Sequence, residues 1–168
     1  MANEQNLRPS EHKFTQKEAC QVRADTMRLA VVAMEDELSL VPEAEEHIVT
    51  GVGALNVMRV LDGIDRDTPI LSVGYAGSNS LPVGSRVSVG RVSTHHPHVA
   101  FLEPDFELDG DVPCYTSTDF VTETLVSEPC VFDMELAFIL GMGFSDVVAE
   151  KVVSDNLSYD EYKQTKGA

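Results

Sequence analysis

The stretch FDMELA at residues 132–137, followed by KVVSD at residues 151–155, decides the fold of this chain. The first stretch places a Met-Glu pair at the start of an apolar run that is typical of a helix. The second stretch is an apolar run typical of a buried strand, and it ends in Ser154 and Asp155. The spacing therefore predicts a helix followed by a strand, with one carboxylate opening the helix and another ending the strand.

Along the rest of the chain, apolar runs typical of strands alternate with helical periodicities, which indicates an α/β layered domain. Residues 1–27 are interpreted as a polar arm, with a helix at 15–24, and residues 28–168 as the folded domain. Gly51-x-Gly53 and Gly74-x-x-Gly77 are predicted to be turns that let the backbone approach a ligand closely. The predicted strands are 29–34, 47–50, 69–73, 85–94 and 146–153. The predicted helices are 54–64 and 134–140, and a last one starts within 158–162. Short strands and loops are expected over residues 95–116.

Composition excludes several classes of function. The 168 residues carry a net charge of −16, with 28 acidic and 12 basic side chains, which argues against nucleic acid or an anionic membrane as a partner. No apolar run reaches the roughly 18 residues of a membrane span, and the N-terminus lacks the apolar core of a signal peptide. Three widely spaced cysteines form no disulfide framework. We therefore expect a soluble, cytoplasmic protein.

Four further motifs occur in order along the chain: AMEDE at 33–37, TGVGALN at 50–56, GYAG at 74–77 with LPVG at 81–84, and STDFV at 117–121. Together with the two stretches above, they resemble the purine nucleoside phosphorylase and nucleosidase superfamily over roughly residues 29–162. The branch they resemble most hydrolyses 5′-methylthioadenosine and S-adenosylhomocysteine. The resemblance implies a three-layer α/β/α sandwich with a mixed central sheet of the phosphorylase/hydrolase type. It also implies a homodimer that binds a small nucleoside and needs no metal or organic cofactor.

The resemblance assigns catalytic roles to three carboxylates. Breaking a ribosyl–purine bond produces a cationic sugar and a base that leaves well only when protonated. Asp155 is expected to be the general acid, oriented by Ser154, and its pKa must then be raised by burial or a nearby charge. Glu135 is expected to hold the ribose hydroxyls while Met134 packs against the sugar, and Glu37 is expected to position and deprotonate the attacking water. The alternatives are structural: a Ser-Asp turn or cap, an acid at a helix N-terminus, and an exposed member of an acidic cluster.

The remaining candidate residues are substrate contacts. Asp133 is either a second ligand or a helix cap. Phe120 either stacks on the purine, with the adjacent backbone at Val121 reading its edge, or belongs to the core. Tyr75, Ala76 and Gly77 are expected beside the ribose and the nucleophile.

The chain departs from the family pattern at several places. Tyr75 stands where the family usually has Ser, Lys151 where it has Arg, and Asp133 where it has Glu. The segment before Phe120 and the C-terminal helix are both shorter than is usual in the family. His95-His96-Pro97-His98 raises a metal hypothesis, but no second ligand motif accompanies it, and we interpret it as a surface loop.

The expected activity is hydrolysis of the N-glycosidic bond of a purine nucleoside, an adenine 5′-thionucleoside. One alternative is a phosphate-dependent phosphorylase; the absence of arginine at residues 74–78 and the negative charge of Glu37 favour water over phosphate. A second alternative is a catalytically degenerate protein that binds a nucleoside without cleaving it. A third is a structural protein that binds no nucleoside.

Overall fold

The computed structural model describes residues 27–43, 45–100 and 103–166, which form one mixed sheet of eight strands with helices packed against it. The strands are β1 Leu29–Val32, β2 Glu46–Val49, β3 Ile70–Ser78, β4 Arg86–Thr94, β5 Phe106–Glu107, β6 Val112–Thr116, β7 Val131–Asp133 and β8 Val147–Asp155. The helices are a 3-10 helix Glu35–Leu40 and the α-helices α1 Ala54–Leu61, α2 Leu136–Gly141 and α3 Tyr159–Lys166. The predicted α/β fold with a mixed sheet is confirmed. Apart from Met27, the arm predicted for residues 1–27 lies outside the described residues.

Strand β3 is the centre of the sheet. It pairs in parallel with β1 and β8 and, at its last two residues, antiparallel with β7. Strand β7 then pairs with β6, β6 with β4, and β4 with β8, so five strands form a closed circuit of pairings. Strands β2 and β5 extend the sheet outside this circuit.

The parallel strands β1, β3 and β8 point in the same direction, so their carboxyl ends meet at one edge of the sheet. In α/β proteins, ligands commonly bind at the carboxyl ends of parallel strands. The residues that follow or end these strands are Met34 and Glu37 after β1, Tyr75 to Gly77 within β3, and Asp155 at the end of β8. The sheet itself therefore gathers motifs that are far apart in sequence.

An apolar core holds α1 and α2 against the sheet. Val57 and Leu61 of α1 and Leu136 and Ile139 of α2 are at most 1% exposed, beside β-strand side chains such as Val153. Each fully buried side chain of this size stabilises the fold by about 1.5–3 kcal/mol. The apolar periodicity of the two helices thus fixes the position of the residues at the start of α2. Among the described residues, no helix is long and apolar enough to cross a bilayer.

The structure corrects two predictions about elements. The predicted turn Gly74-x-x-Gly77 is wrong, because these residues continue strand β3 as far as Ser78. Carboxylates of Glu37 and Asp155 pack where Cβ atoms at Gly74 and Gly77 would stand, which explains glycine inside a strand. A three-residue strand, β7, also lies where no strand was predicted, because its pairing with β6 comes from a remote part of the chain.

Candidate active site

A cleft at the carboxyl ends of β1, β3 and β8 brings together nearly all of the predicted site residues. Its cavity has a volume of about 70 Å³. A smaller cavity of about 30 Å³ adjoins it and adds Gly77 and Val121 to the set. The cleft is lined by Ala33, Met34, Glu37, Val52, Tyr75, Ala76, Phe120, Phe132, Asp133, Met134, Glu135, Ser154, Asp155 and Tyr162.

Asp155 ends strand β8 with its side chain fully buried. The register between β3 and β8 shifts after Ala76, and this bulge sets Asp155, rather than Ser154, opposite Gly77. The Asp155 Oδ1 atom accepts a hydrogen bond of 3.0 Å from the N–H of Leu157, a residue with a left-handed φ of 64°. Burial raises the pKa of Asp155 above its usual value, against the hydrogen bonds that favour the charged form.

Ser154 orients Asp155. Its Oγ atom donates a hydrogen bond of 2.7 Å to Asp155 Oδ2 and lies 3.3 Å from the carbonyl oxygen of Ala76. A hydroxyl has one proton, so the shorter contact is the hydrogen bond and the longer one is secondary. This bond favours the charged form, so the raised pKa of Asp155 comes from burial and not from Ser154.

Glu37 lies at the other side of the cleft, 4% exposed, on the 3-10 helix. Its Oε2 atom accepts hydrogen bonds from the N–H groups of Ala33 (2.9 Å) and Met34 (3.0 Å), and its Oε1 atom accepts one from Tyr75 (3.0 Å). Three backbone donors thus hold the carboxylate in a fixed orientation. Oε1, which accepts one of the three hydrogen bonds, keeps a lone pair for a further donor such as water.

Gly74 leaves the space that this carboxylate occupies. A Cβ at position 74 would stand 2.8 Å from Glu37 Oε1. We expect Gly74→Ala to push the carboxylate off its backbone donors and reduce the free energy of unfolding by about 1–3 kcal/mol. Urea unfolding measures the effect. The control is Gly141→Ala, since a Cβ there meets no atom within 4 Å; equal behaviour of the two variants would contradict the expectation.

Glu135 connects the start of α2 to the glycine turn before α1. Its Oε1 atom accepts a hydrogen bond of 3.1 Å from the N–H of Gly53, whose φ of 88° favours glycine. Its Oε2 atom accepts a weaker one of 3.3 Å from the N–H of Met134. Burial, together with the negative charge of Asp133, raises the pKa of Glu135 to about 7. A small change of environment therefore decides whether this group is charged at neutral pH.

Asp133 lies in a buried network with all of its acceptor positions used. Lys151 Nζ lies 3.1 Å from its Oδ2 atom, which also accepts the N–H of Leu136 at 2.9 Å. Thr116 Oγ1 donates to its Oδ1 atom at 2.6 Å, and Cys114 Sγ donates to the same atom at 3.5 Å. Burial opposes the charged form, but these partners hold the pKa of Asp133 below its usual value. The geometry fits the alternative in which Asp133 supports the start of the helix.

Lys151 was noted in the sequence only as a departure from the family's Arg, yet its ammonium compensates Asp133 in the interior. Both side chains are at most 3% exposed. Removing one partner of a buried pair leaves an uncompensated charge and costs about 3–5 kcal/mol. We expect Lys151→Met to lower the free energy of unfolding by this amount in urea titrations. The double variant Lys151→Met/Asp133→Asn should recover part of the loss; a single variant as stable as wild type would contradict the expectation.

The aromatic end of the cleft has partners that the sequence did not predict. Phe120 contacts the rings of Tyr159 and Tyr162 of α3, with ring centres 5.4 and 5.3 Å apart. Lys166, on the last turn of α3, reaches Met34 and Asp36. Helix α3 is polar along its length, so no apolar periodicity in the sequence pointed to these contacts.

The histidine loop reaches the cleft only through His95. The rings of His95 and Phe132, a residue that lines the cleft, meet at nearly right angles with centres 5.2 Å apart, and His95 Nε2 lies 3.1 Å from Thr124 Oγ1. Within residues 27–43, 45–100 and 103–166, no group of three or more His, Cys, Asp or Glu side chains is arranged to hold a metal ion.

Comparisons by sequence find nothing: no protein-family model and no curated protein matches this chain. Comparisons by structure do find similar proteins. An Asp-to-Asn variant of the 5′-methylthioadenosine/S-adenosylhomocysteine nucleosidase from Chlamydia trachomatis, bound to methylthioadenosine, superposes with a TM-score of 0.63 at 18% identity, covering 84% of this chain and 90% of that one. The same Chlamydia protein also has a structure bound to adenine.

Two streptococcal nucleosidases have a similar structure as well. S-adenosylhomocysteine nucleosidase from Streptococcus pyogenes with 5-methylthiotubericidin gives a TM-score of 0.59 at 18% identity, covering 86% of this chain and 92% of that one. The nucleosidase from S. pneumoniae with the transition-state inhibitor MT-ImmA gives 0.56 at 15% identity, covering 82% and 91%. The chain described here therefore has the fold of the methylthioadenosine/S-adenosylhomocysteine nucleosidases.

Proposed function

We propose that this protein hydrolyses the N-glycosidic bond of a purine nucleoside, with adenine 5′-thionucleosides as substrates. The observation that carries the proposal is the convergence of Glu37, Glu135 and Asp155 on one cleft, each in a different environment. Similarity in fold to nucleosidases with methylthioadenosine and adenine bound supports the choice of substrate.

The proposed reaction divides the work among the three carboxylates. Asp155 donates a proton to N7 of the purine as the bond from C1′ to N9 breaks, and the bonding electrons leave with the base. Glu135, ionised, binds the ribose hydroxyls and interacts more strongly as positive charge develops on the sugar. Glu37 takes a proton from water while the water oxygen bonds to C1′. The products are free adenine and the 5-substituted ribose, and the chemistry consumes one water.

Charge in the cleft favours hydrolysis over phosphorolysis. The two cationic side chains described beside the cleft are already paired, Lys151 with Asp133 at 3.1 Å and Lys166 with Asp36 at 2.9 Å. A phosphate would also approach the carboxylate of Glu37 against charge repulsion. We expect the protein to release adenine from methylthioadenosine in buffer without phosphate. Chromatography of the reaction mixture measures this release. Release only with added phosphate would instead establish a phosphorylase.

A non-catalytic nucleoside-binding protein is the second candidate. The bulky side chain of Tyr75, where the family has Ser, favours it because Tyr75 lines the cleft beside Glu37. This candidate predicts that methylthioadenosine raises the melting temperature while no adenine appears. If methylthioadenosine neither raises the melting temperature nor yields adenine, the remaining alternative is a structural protein that binds no nucleoside.

Three finer predictions accompany this proposal. The first is a three-layer α/β/α arrangement around the sheet, as the resemblance implies. The second is a homodimer, supported by exposed apolar side chains of α1, where Leu55 is 66% and Met58 is 54% exposed; light scattering tests it. The third is the cytoplasm as compartment, supported by the free thiols of the buried Cys114 and Cys130.

A further inference from the structure

Helix α3 runs along the cleft. Its first half contacts Phe120 through Tyr159 and Tyr162. Thr165 Oγ1 donates a hydrogen bond of 2.7 Å to the carbonyl oxygen of Ser154, which fixes the helix to the end of β8. The eight residues span about 12 Å at 1.5 Å per residue. The helix therefore covers the cleft from the Phe120 end to the Met34 end.

The Met34 end is closed by a group of side chains that we call the end wall: Met34, Tyr75 and Lys166. Lys166 Nζ lies 3.2 Å from Met34 Sδ and 6.0 Å from the centre of the Tyr75 ring. The same ammonium donates to the hydroxyl of Tyr162 at 3.1 Å and pairs with Asp36 at 2.9 Å. With four partners and only 13% of its side chain exposed, Lys166 is held in place.

Tyr75 is the residue of the end wall that belongs to the sheet, on strand β3. Its N–H group is bonded to Glu37 Oε1, so the backbone at this position does not shift freely. Its ring lines the cleft at a place where a serine would leave open space.

The position of the wall bears on one part of a nucleoside. A nucleoside consists of base, ribose and 5′ substituent in that order. The following step rests on the proposed function: with the base at Asp155 and Phe120 and the ribose at Met134 and Glu135, the 5′ substituent extends toward the remaining end. That end is the wall.

We propose that the end wall makes this enzyme selective for nucleosides with a compact 5′ substituent, such as a methylthio group, and excludes the amino-acid chain of S-adenosylhomocysteine. A longer chain must displace Lys166 from Asp36 and Tyr162 and separate it from Met34. The methylthio group adds one sulfur and one carbon and leaves these contacts intact. Selectivity thus arises from the contacts that the larger substrate breaks.

The test compares kcat/KM for methylthioadenosine and S-adenosylhomocysteine. In the wild type we expect a ratio of at least about tenfold in favour of methylthioadenosine. Tyr75→Ser and Lys166→Ala should each bring the ratio toward one, by about tenfold. The matched control is Lys163→Ala on the same helix, a lysine 56% exposed and paired with Asp160, which should leave the ratio unchanged.

Binding separates this proposal from the proposed function. Calorimetric Kd values for both nucleosides, measured with the Asp155→Asn variant so that they are not consumed, should show the same preference and the same response to the wall substitutions. If the wild type releases no adenine but binds methylthioadenosine selectively, hydrolysis fails and the selectivity stands. Equal kcat/KM and Kd for the two nucleosides, a ratio that ignores Tyr75→Ser and Lys166→Ala, or binding of neither nucleoside would overturn the selectivity.

Discussion

Asp155→Asn is expected to lower kcat/KM for methylthioadenosine by about 10²–10⁴-fold, the range for loss of a general acid. Asparagine keeps the shape of the side chain and an oxygen that accepts the N–H of Leu157, which now lies 3.0 Å from Oδ1. It has no acidic proton to give to the purine. Adenine release, measured by chromatography beside urea unfolding, should therefore fall while the free energy of unfolding changes by less than about 2 kcal/mol.

A substrate that needs no acid separates this role from a structural one. Cleavage of a nitrophenyl riboside releases nitrophenolate, a stable anion that leaves without protonation. The Asp155→Asn variant should therefore cleave this substrate at nearly the wild-type rate. The matched control is Asp160→Asn, since Asp160 is 83% exposed on α3 and should leave both reactions unchanged. Equal losses on the adenine and nitrophenyl substrates would contradict the role of general acid.

The sequence predicted most of the fold, because burial imposes a pattern on the chain. Leu29–Val32 and Val147–Asp155 were visible as apolar runs, and Ala54–Leu61 as a helical periodicity. What it did not predict depends on remote partners. Strand β7 has three residues and exists through its pairing with β6, and β3 continues through two glycines because side chains from Glu37 and Asp155 fill their Cβ positions.

The candidate site was predictable where a motif marked it. Glu37, Glu135 and Asp155 each stood in a stretch that resembles a family, and the sheet does bring them to one cleft. The pairing of Lys151 with Asp133 had no local signal, because the residues lie on different strands. Lys166 likewise belongs to a polar helix whose position depends on contacts with residues remote in sequence, among them Asp36 and Phe120.

Glu135→Gln is expected to lower kcat/KM by about 10²–10³-fold, the loss typical of one group that stabilises charge in a transition state. The amide keeps an oxygen for the N–H of Gly53, now 3.1 Å from Oε1, but it has no negative charge to stabilise the cationic ribose. Unlike Asp155→Asn, this variant should lose activity on the nitrophenyl riboside as well, because that reaction also passes through a cationic sugar. The two substitutions therefore give different substrate patterns from neighbouring carboxyl groups.

The pH dependence makes the argument for Glu135 sharper. Its pKa is raised to about 7 by burial and by the charge of Asp133. In the proposed reaction the ionised form is the one that acts. Since a raised pKa means that the group gains its proton on acidification sooner than usual, wild-type kcat/KM should fall as pH decreases through about 7. Glu135→Gln should remove that acid limb and leave a low, flat rate there. The matched control is Glu150→Gln on β8, a carboxylate 36% exposed and paired with Arg86, which should keep the limb. If the decrease at acidic pH persists in Glu135→Gln, it arises from another group, and the proposed role of Glu135 is contradicted. A residue that only supported the fold would change the rate without changing the pH profile.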